Sequence, residues 1–162
     1  MKTIVRKYKK EDRKVLATCL TKLCDHLVPL DPYKRARRLP QFEKEYTDNL
    51  LKKVKKQRGA IFVAENGKGV IGCIAGIIEK QRKEELLEYP RIKKARVLEL
   101  FVENEYRGEG IGSKLMKTIE KYFKKKGCFS CRVEVFVPNR NAHRFYKKSG
   151  YQNSDIDMIK RL

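Results

Sequence analysis

The sequence lacks any apolar run near the length that a membrane helix requires. A helix that crosses a bilayer takes about 18 or more apolar residues. Residues 1–7 turn charged again before a signal-like segment can develop. We therefore expect a soluble, cytoplasmic protein with no membrane partner.

Paired cysteines and clustered histidines are also missing. The five cysteines are an odd number, which argues against a disulfide framework when no signal segment is evident. Cys128 and Cys131 have the Cys-x-x-Cys spacing of zinc and redox sites, but the chain has no second cysteine pair of this kind. The two histidines, His26 and His143, are remote in sequence. The sequence predicts buried thiols and no metal site.

Acidic residues are few. The chain has 20 Asp and Glu against 40 Lys and Arg, which gives a net charge of +20. Such a surplus is typical of a protein that binds nucleic acid or an acidic partner, or of a lysine-rich solvated surface. The lysines are spread along the chain, without a basic tail or a patch interleaved with aromatic residues. Distributed charge favours the solvated surface, so we expect no nucleic-acid partner.

The apolar content is sufficient for one packed domain, predicted to span residues 1–162. Of 162 residues, 41% are hydrophobic, and no repeat, low-complexity segment or linker divides them. Periodicity and turn signals predict strands, helices and a hairpin in the following order. They are a strand over 3–8, helices over 11–27 and 41–57, a hairpin over 60–78, a short helix over 83–88, a strand over 97–102, a helix over 114–126, a strand over 131–137, a helix after Asn139, and a last strand over 151–162.

A glycine-rich turn organises this chain. Arg107 is followed by three glycines at alternate positions, between the strand predicted over 97–102 and the helix predicted over 114–126. Glycines let a ligand approach the backbone, and the unbonded N–H groups at a helix N-terminus favour an anion such as a pyrophosphate. The turn therefore predicts an anion-binding loop.

Spacing excludes two other glycine-rich loops. The dinucleotide fingerprint requires a third glycine where Ser113 stands, and the nucleoside-triphosphate loop requires Gly-Lys-Ser/Thr, whereas Gly112 is followed by Ser113 and Lys114. The remaining pattern, Arg-Gly-x-Gly-x-Gly between a strand and a helix, resembles the coenzyme A pyrophosphate loop of the GNAT acetyltransferases.

A second motif resembles the C-terminal motif of the same family. After the strand over 131–137 come Asn139 and Asn141, followed by Phe145 and Tyr146. Two motifs in the right order are more specific than either alone, and the predicted element order is also that of the family. The resemblance implies an α/β (α+β) GNAT fold: a mixed sheet of six to seven strands, about four flanking helices, and central strands that splay apart.

The resemblance also implies a chemistry. A GNAT enzyme is an N-acetyltransferase that moves an acetyl group from acetyl-CoA to a primary amine by direct attack in a ternary complex, without a metal. The pantetheine arm would pair with the backbone of Phe101 and Val102, and Asn141 and Tyr146 would contribute to cofactor binding. The pyrophosphate would be held by the backbone of one loop, formed by Arg107, Gly108, Glu109, Gly110, Ile111, Gly112 and Ser113.

Two side chains are candidates for catalysis. Tyr146 matches the family tyrosine that protonates the departing thiolate; its alternative is a core tyrosine. Glu99, expected just upstream of a bulge in the central strand, would accept the amine proton, and its alternative is an ion pair at the strand's edge. Glu103 and Glu134 are weaker candidates for the base.

Two other functions stay open: a GNAT-fold module that binds acyl-CoA without catalysis, and a basic nucleic-acid-binding protein. The acceptor amine is not identified, although the resemblance implies that the first helix, residues 30–40 and residues 81–94 flank its groove. Their basic character favours an acidic peptide or a small anionic amine over a free polycation such as spermidine. The alternative is that Asp31, or Glu84 and Glu85, line the pocket locally. Dimerisation is common in the family, and the sequence leaves it open.

Overall fold

The fold is a sheet with helices on both faces. A computed structural model describes residues 2–160 and 162, and within them five strands form one sheet in the order β1–β2–β3–β4–β5. The strands are β1 (Ile4–Lys7), β2 (Ala60–Asn66), β3 (Gly69–Glu79), β4 (Lys94–Val102) and β5 (Ser130–Arg132). The helices are α1 (Arg13–Leu27), α2 (Phe42–Lys56), α3 (Glu85–Glu88), α4 (Ile111–Lys125) and α5 (Arg140–Lys148). None of these helices has the length and apolar character needed to cross a membrane.

The first four strands pair antiparallel, and β5 joins β4 in parallel. The predicted hairpin is confirmed: Asn66 pairs with Gly69 across a two-residue loop, and the Asn66 side chain accepts a 2.9 Å hydrogen bond from the Lys68 N–H. This local bond favours the turn over a continued strand. The hairpin places β3 in the middle of the sheet.

The two faces of the sheet carry separate apolar clusters. Helices α1 and α2 cover one face, where Leu16, Leu20 and Leu50 pack on alternate residues of β2 and β3. Helix α4 covers the other face through Ile119 and Phe123. Alternation of strand side chains sends successive residues to opposite clusters, so β3 is buried on both sides. The sheet therefore separates an α1/α2 face from an α4 face.

The C-terminal part of the sheet is smaller than predicted. The strand expected over 131–137 ends at Arg132, and residues 151–160 form no strand; Arg161 lies outside the described residues. Beyond Arg132 the chain leaves β4, so the alternating residues that follow have no partner strand. Residues 152–157 are mostly short polar side chains, which disfavour a strand. Within the described residues five strands form where six to seven were predicted, while the mixed sheet itself is confirmed.

Gly76 allows α4 to approach β3 closely. A Cβ atom at this glycine would lie 2.8 Å from Cζ of Phe123, 2.9 Å from Cδ1 of Ile119 and 2.8 Å from the carbonyl oxygen of Arg96. Real Cβ contacts are essentially never so short. The absence of a side chain at Gly76 is therefore what lets α4 pack this closely on β3.

Replacing Gly76 with alanine is therefore expected to destabilise the fold. The methyl group forces α4 away from the sheet, and such overpacking costs about 1–3 kcal/mol. Chemical denaturation measures the loss, with Lys68→Ala in the exposed hairpin as a control that changes stability by less than about 0.5 kcal/mol. Equal stability of the two variants would contradict the close approach.

Candidate active site

The glycine loop ends β4 and begins α4. Gly108 and Gly110 have φ angles of +87° and +77°, in the left-handed region that favours glycine, and Gly110 is the N-cap of α4. The helix starts at Ile111, three residues before the predicted start, and the Lys114 N–H donates to the Gly110 carbonyl at 3.0 Å. The N–H groups of the first turn precede this bond and have no intrahelical acceptor. They carry the partial positive charge of the helix terminus.

Side chains of the loop divide between solvent and core. Arg107 and Glu109 are exposed, Ser113 is half-buried, and the Ile111 side chain lies in the α4-face core. The Arg107 Nε donates a 3.1 Å hydrogen bond to the Val102 carbonyl, which holds the loop against the end of β4. At this loop a ligand would therefore meet mainly backbone groups.

Helix α5 lies against the start of α4. A Cβ atom at Gly112 would lie 3.4 Å from the Phe145 ring, so the two sequence motifs meet here. Asn139 caps α5: its side chain accepts a 3.2 Å bond from the Ala142 N–H. Asn141 is exposed and accepts a 2.7 Å bond from Arg144. Of the two asparagines considered from the sequence, Asn139 thus sets the position of α5.

A cleft opens between β4 and β5. The two strands pair only at three positions, Lys94–Arg96 with Ser130–Arg132. From there to Val102, β4 is paired with β3 on one edge but not with β5 on the other. This divergence matches the predicted splay. The free edge of β4 lies between the glycine loop and α5.

The pairing of β4 with β3 decides which backbone groups face this cleft. The Glu103 N–H donates to the Ile71 carbonyl at 2.9 Å, so Ile71 and Glu103 form a hydrogen-bonded pair. Hydrogen-bonded pairs alternate with non-bonded pairs in an antiparallel ladder. The backbone of Phe101 is therefore hydrogen-bonded to β3, and the N–H groups of Leu100 and Val102 point away from β3, towards the cleft. From the family resemblance, the backbone of Phe101 and Val102 was expected to pair with the pantetheine arm. In this register the N–H groups that face the cleft belong to Leu100 and Val102.

Glu99 lies at the other end of this free edge. Glu99 pairs with Ala75, and the next residue of β3, Gly76, pairs with Val97, so the register shifts by one residue between these two pairs. The bulge therefore precedes Glu99, whereas the sequence predicted a bulge after it. Glu99 is half-buried, and the Tyr46 hydroxyl on α2 donates a hydrogen bond to its carboxylate. Burial raises the pKa of Glu99 to about 7, although Tyr46 and nearby cations oppose the shift.

Tyr46 was not recognised as a site residue from the sequence. It belongs to a four-residue spacing with Phe42, Leu50 and Val54 that predicted only an apolar stripe of α2. Its ring stacks on Phe42 at 4.5 Å between centroids, while its hydroxyl points at Glu99. Burial and the charge of Glu99 raise the pKa of Tyr46, so the phenol stays protonated as a donor.

Tyr146 lies on α5, half-buried among aromatic rings. Its ring centroid is 5.2 Å from that of Phe145 and 5.7 Å from that of Tyr151, both with edge-to-face geometry. Burial raises the pKa of Tyr146 to about 12, and the negative charge of Glu99 contributes to the increase. The two predicted catalytic side chains thus lie within each other's electrostatic field.

A pocket of about 200 Å³ adjoins Glu99 on the α1/α2 face. Its walls are largely apolar, with Arg37 as a cation and Glu99 as its carboxylate; the lining residues are Leu20, Leu23, Cys24, Leu27, Val28, Ala36, Arg37, Phe42, Tyr46 and Glu99. Buried Asp31 holds the adjacent loop, accepting 2.7 Å and 2.9 Å bonds from the N–H groups of Arg35 and Ala36. The Asp31 carboxylate is therefore used in hydrogen bonds within its own loop and does not line the pocket.

Comparison with known proteins agrees with this geometry. The acetyltransferase (GNAT) family matches residues 20–151. The chain belongs to this family. An uncharacterized N-acetyltransferase of Methanocaldococcus jannaschii is 32% identical over 117 residues, which cover 67% of this chain and 48% of that protein. A spermidine N(1)-acetyltransferase of Thermoplasma acidophilum is 39% identical over 64 residues, 40% of each chain. The chain spans less than half the length of these relatives.

The same fold occurs in a solved structure of AAC(6′)-Iy in complex with the bisubstrate analogue CoA-S-monomethyl-acetylneamine. The TM-score is 0.74 at 14% identity, covering 100% of this chain and 99% of that chain. At this identity the likeness shows the fold alone. The expected GNAT architecture is confirmed.

The two weaker candidates for the general base, Glu103 and Glu134, form ion pairs in this GNAT protein. Glu103 is 2.6 Å from Lys22, and Glu134 is 2.5 Å from Arg96. Burial raises the pKa of both Cys128 and Cys131, which keeps these thiols protonated. Among residues 2–160 and 162, no three His, Cys, Asp or Glu side chains come together as a metal site.

Proposed function

We propose that this GNAT protein is an acetyl-CoA-dependent N-acetyltransferase that acts on a primary amine by direct attack in a ternary complex. The observation that carries the proposal is the position of Glu99. This carboxylate borders the apolar pocket, lies on the strand whose free edge faces the cleft, and has a pKa of about 7. A general base works best when its pKa lies near the working pH.

In the proposed reaction, the acceptor enters the pocket as an ammonium ion. An alkyl ammonium has a pKa near that of lysine, about 10.4, and it must lose a proton before its nitrogen can attack. Glu99 accepts that proton, directly or through one water molecule, while Tyr46 keeps its hydrogen bond to the carboxylate. The nitrogen then attacks the thioester carbonyl.

The cleft supplies the remaining groups. The outward N–H groups of Leu100 and Val102 are suited to donate to the thioester oxygen and to the pantetheine arm, so the developing oxyanion meets a fixed donor. As the carbon–sulfur bond breaks, the Tyr146 hydroxyl donates a hydrogen bond to the departing thiolate. The attacking nitrogen gives its second proton to that sulfur, so the products are a neutral amide and coenzyme A as the thiol. The N–H groups at the start of α4 would hold the pyrophosphate, as anions are held at other helix N-termini.

The pocket favours an acceptor with one amine on an apolar group. Glu99 is the single carboxylate among the residues that line it, and Asp31 is committed to its own loop. A spermidine N(1)-acetyltransferase is among the relatives, but a polyamine carries several charges, and one carboxylate cannot pair with all of them. We expect monoamines to be better acceptors.

Replacing Gly110 with leucine is expected to weaken coenzyme A binding by at least about tenfold. The side chain would stand where a ligand approaches the backbone, because no protein atom lies within 4 Å of a Cβ placed there. Gly127→Leu is a matched control, since Gly127 has a φ of +76°, nearly that of Gly110, at the opposite end of α4. Both variants carry the same backbone strain, so only the loop variant loses affinity.

Calorimetry with coenzyme A measures this difference, and thiol release with a panel of monoamines measures turnover. Wild-type affinity in Gly110→Leu would contradict the loop assignment. Binding of acetyl-CoA without turnover of any amine would favour the non-catalytic acyl-CoA module instead.

A further inference from the structure

A large basic groove lies on the same side of the sheet as the pocket but towards the N-terminal end of β4. It has a volume of about 950 Å³ between the end of α2, the end of β3 and the segment that leads into β4. Seven of its eleven lining residues are Lys or Arg, against 40 of 162 in the whole chain, and one is Glu79. Its cations besides Arg58 are Lys53, Lys56, Lys80, Arg91, Lys93 and Arg96. The lining of the groove is thus richer in Lys and Arg than the chain as a whole.

Most of these charges are not neutralised within the protein. Lys56, Lys80 and Arg91 are exposed, and the part of the chain that the structure describes places no carboxylate within ion-pair distance of them. Arg96 pairs with Glu134 and with Glu79, but its buried Nε–H finds no acceptor among the described residues. The groove therefore presents positive charge to solvent.

The rims of the groove are fixed. The Gln81 side chain donates to the Pro90 carbonyl at 3.1 Å and accepts from the Ile92 N–H at 3.2 Å, which ties the two ends of the 81–92 excursion together. Arg58, the second residue after α2, has a φ of +50°, a conformation that usually takes glycine. The Tyr122 hydroxyl holds this turn, at 2.9 Å from the Arg58 carbonyl oxygen. The cations are thus presented by ordered backbone.

The groove lies near the pocket, although the two share no lining residue. Tyr46 contacts Glu99 in the pocket, and Lys53 in the groove lies seven residues further along α2, on the same side of the helix. Arg96 precedes Glu99 on β4, and both pair with β3 residues whose side chains lie on the α1/α2 face. Seven helical residues span about 10 Å, which an extended peptide covers with about three residues.

We propose that the basic groove binds an acidic polypeptide segment that carries the acceptor amine, with its carboxylates beginning about three residues from that amine. This inference rests on the proposed acetyltransferase function and names the class of its substrate. Charge complementarity supports the assignment, because the six cations of the groove other than Arg96 have no carboxylate partner among the described residues and match a run of Asp and Glu.

A peptide fits the groove better than a nucleic acid does. No aromatic residue lines the groove, so it offers no surface on which bases could stack. The adjoining pocket has room for one side chain or one N-terminal residue, and polypeptides supply alkyl amines of that kind. Arg37 at the pocket wall adds a further positive charge next to the amine site.

The test compares two ten-residue peptides, each with a free α-amino group and one lysine, that differ in having four Glu or four Gln from the third residue onward. At low ionic strength the wild type is expected to acetylate the Glu peptide with about tenfold higher kcat/KM, because several exposed charge pairs act together, and the preference falls as salt screens them. Thiol release and mass spectrometry measure the rates and the acetylated site.

Matched variants assign the preference to the groove. Lys56→Gln/Lys80→Gln removes two groove charges remote from Glu99, whereas Lys52→Gln/Lys55→Gln removes two exposed charges of α2 outside it. The groove variant is expected to reduce the preference about threefold to fivefold, and the control variant to leave it unchanged. Coenzyme A affinity and the acetylation of 2-phenylethylamine are expected to stay at wild-type values in both.

Each other outcome overturns the proposal. Equal rates with both peptides, while coenzyme A binds and 2-phenylethylamine is acetylated, contradict the groove assignment alone. An equal loss in both variants shows an effect of overall charge. Random duplex DNA that binds the wild type and not the groove variant, without any peptide preference, makes nucleic acid the occupant. Absence of coenzyme A binding contradicts the proposed function as well.

Discussion

Replacing Glu99 with glutamine is expected to lower the maximal rate of acetyl transfer by about 10²–10⁴-fold, the usual contribution of a general base. The amide keeps the size of the side chain and an acceptor for the Tyr46 hydroxyl, so the local geometry is preserved. The wild-type rate should rise as pH increases through about 7, where Glu99 loses its proton. In Glu99→Gln the rate should no longer rise with pH in this range, so the acidic limb of the pH–rate profile disappears.

Stability gives a second measurement of the same group. The pKa of Glu99 is higher in the folded protein than the ordinary value of 4.5. Between these two pH values the folded state binds more protons than the unfolded state, so stability falls as pH rises through the window. Glu99→Gln should lack this contribution. Glu103→Gln, which alters a carboxylate paired with Lys22 nearby, is the control; a Glu99→Gln enzyme with an intact acidic limb would contradict the assignment.

Replacing Tyr146 with phenylalanine is expected to lower the maximal rate by about 10²-fold, the lower end of the range for general acids. The reason is the pKa of about 12. A free thiol has a pKa of about 8.5, so the buried phenol is a weaker acid than the thiol it would protonate. The hydroxyl then acts largely by donating a hydrogen bond to the developing thiolate.

Coenzyme A affinity separates this role from a structural one. In Tyr146→Phe the ring keeps its edge-to-face contacts with Phe145 and Tyr151, so binding should remain within about twofold of wild type. Single-turnover rates with an accepted amine isolate the chemical step. A loss of affinity with an unchanged chemical rate would make Tyr146 an anchor for the cofactor, and an unchanged rate with chemistry limiting would exclude the acid role.

The local parts of the fold and site could be predicted from the sequence. The loop at Gly110 and the cap at Asn139 depend on neighbouring residues, whose spacing is visible along the chain. The Asn66–Gly69 hairpin is local in the same sense.

Features that depend on distant elements could not be predicted in the same way. Tyr46 and Glu99 are 53 residues apart, and helical periodicity gives an aromatic residue the same apolar position whether or not its hydroxyl finds a partner. The position of the bulge follows from the register of β3 against β4, which alternation alone does not fix. The predictions of a strand as far as residue 137 and of a last strand over 151–162 were wrong for a similar reason. Strand β5 leaves β4 after Arg132, so neither residues 133–137 nor residues 151–160 have a strand to pair with.

The separation of the two faces of the sheet has a consequence for how acceptor choice can evolve. The glycine loop and α5, which we propose to hold the cofactor, belong to the α4 face, whereas the pocket and the groove, which we propose to take the acceptor, belong to the α1/α2 face. Substitutions in α1, α2 or residues 28–41 can therefore reshape the acceptor side while the backbone of the glycine loop stays in place. Descendants of one ancestral gene could then exchange one amine for another in small steps, each retaining the same acetyl donor.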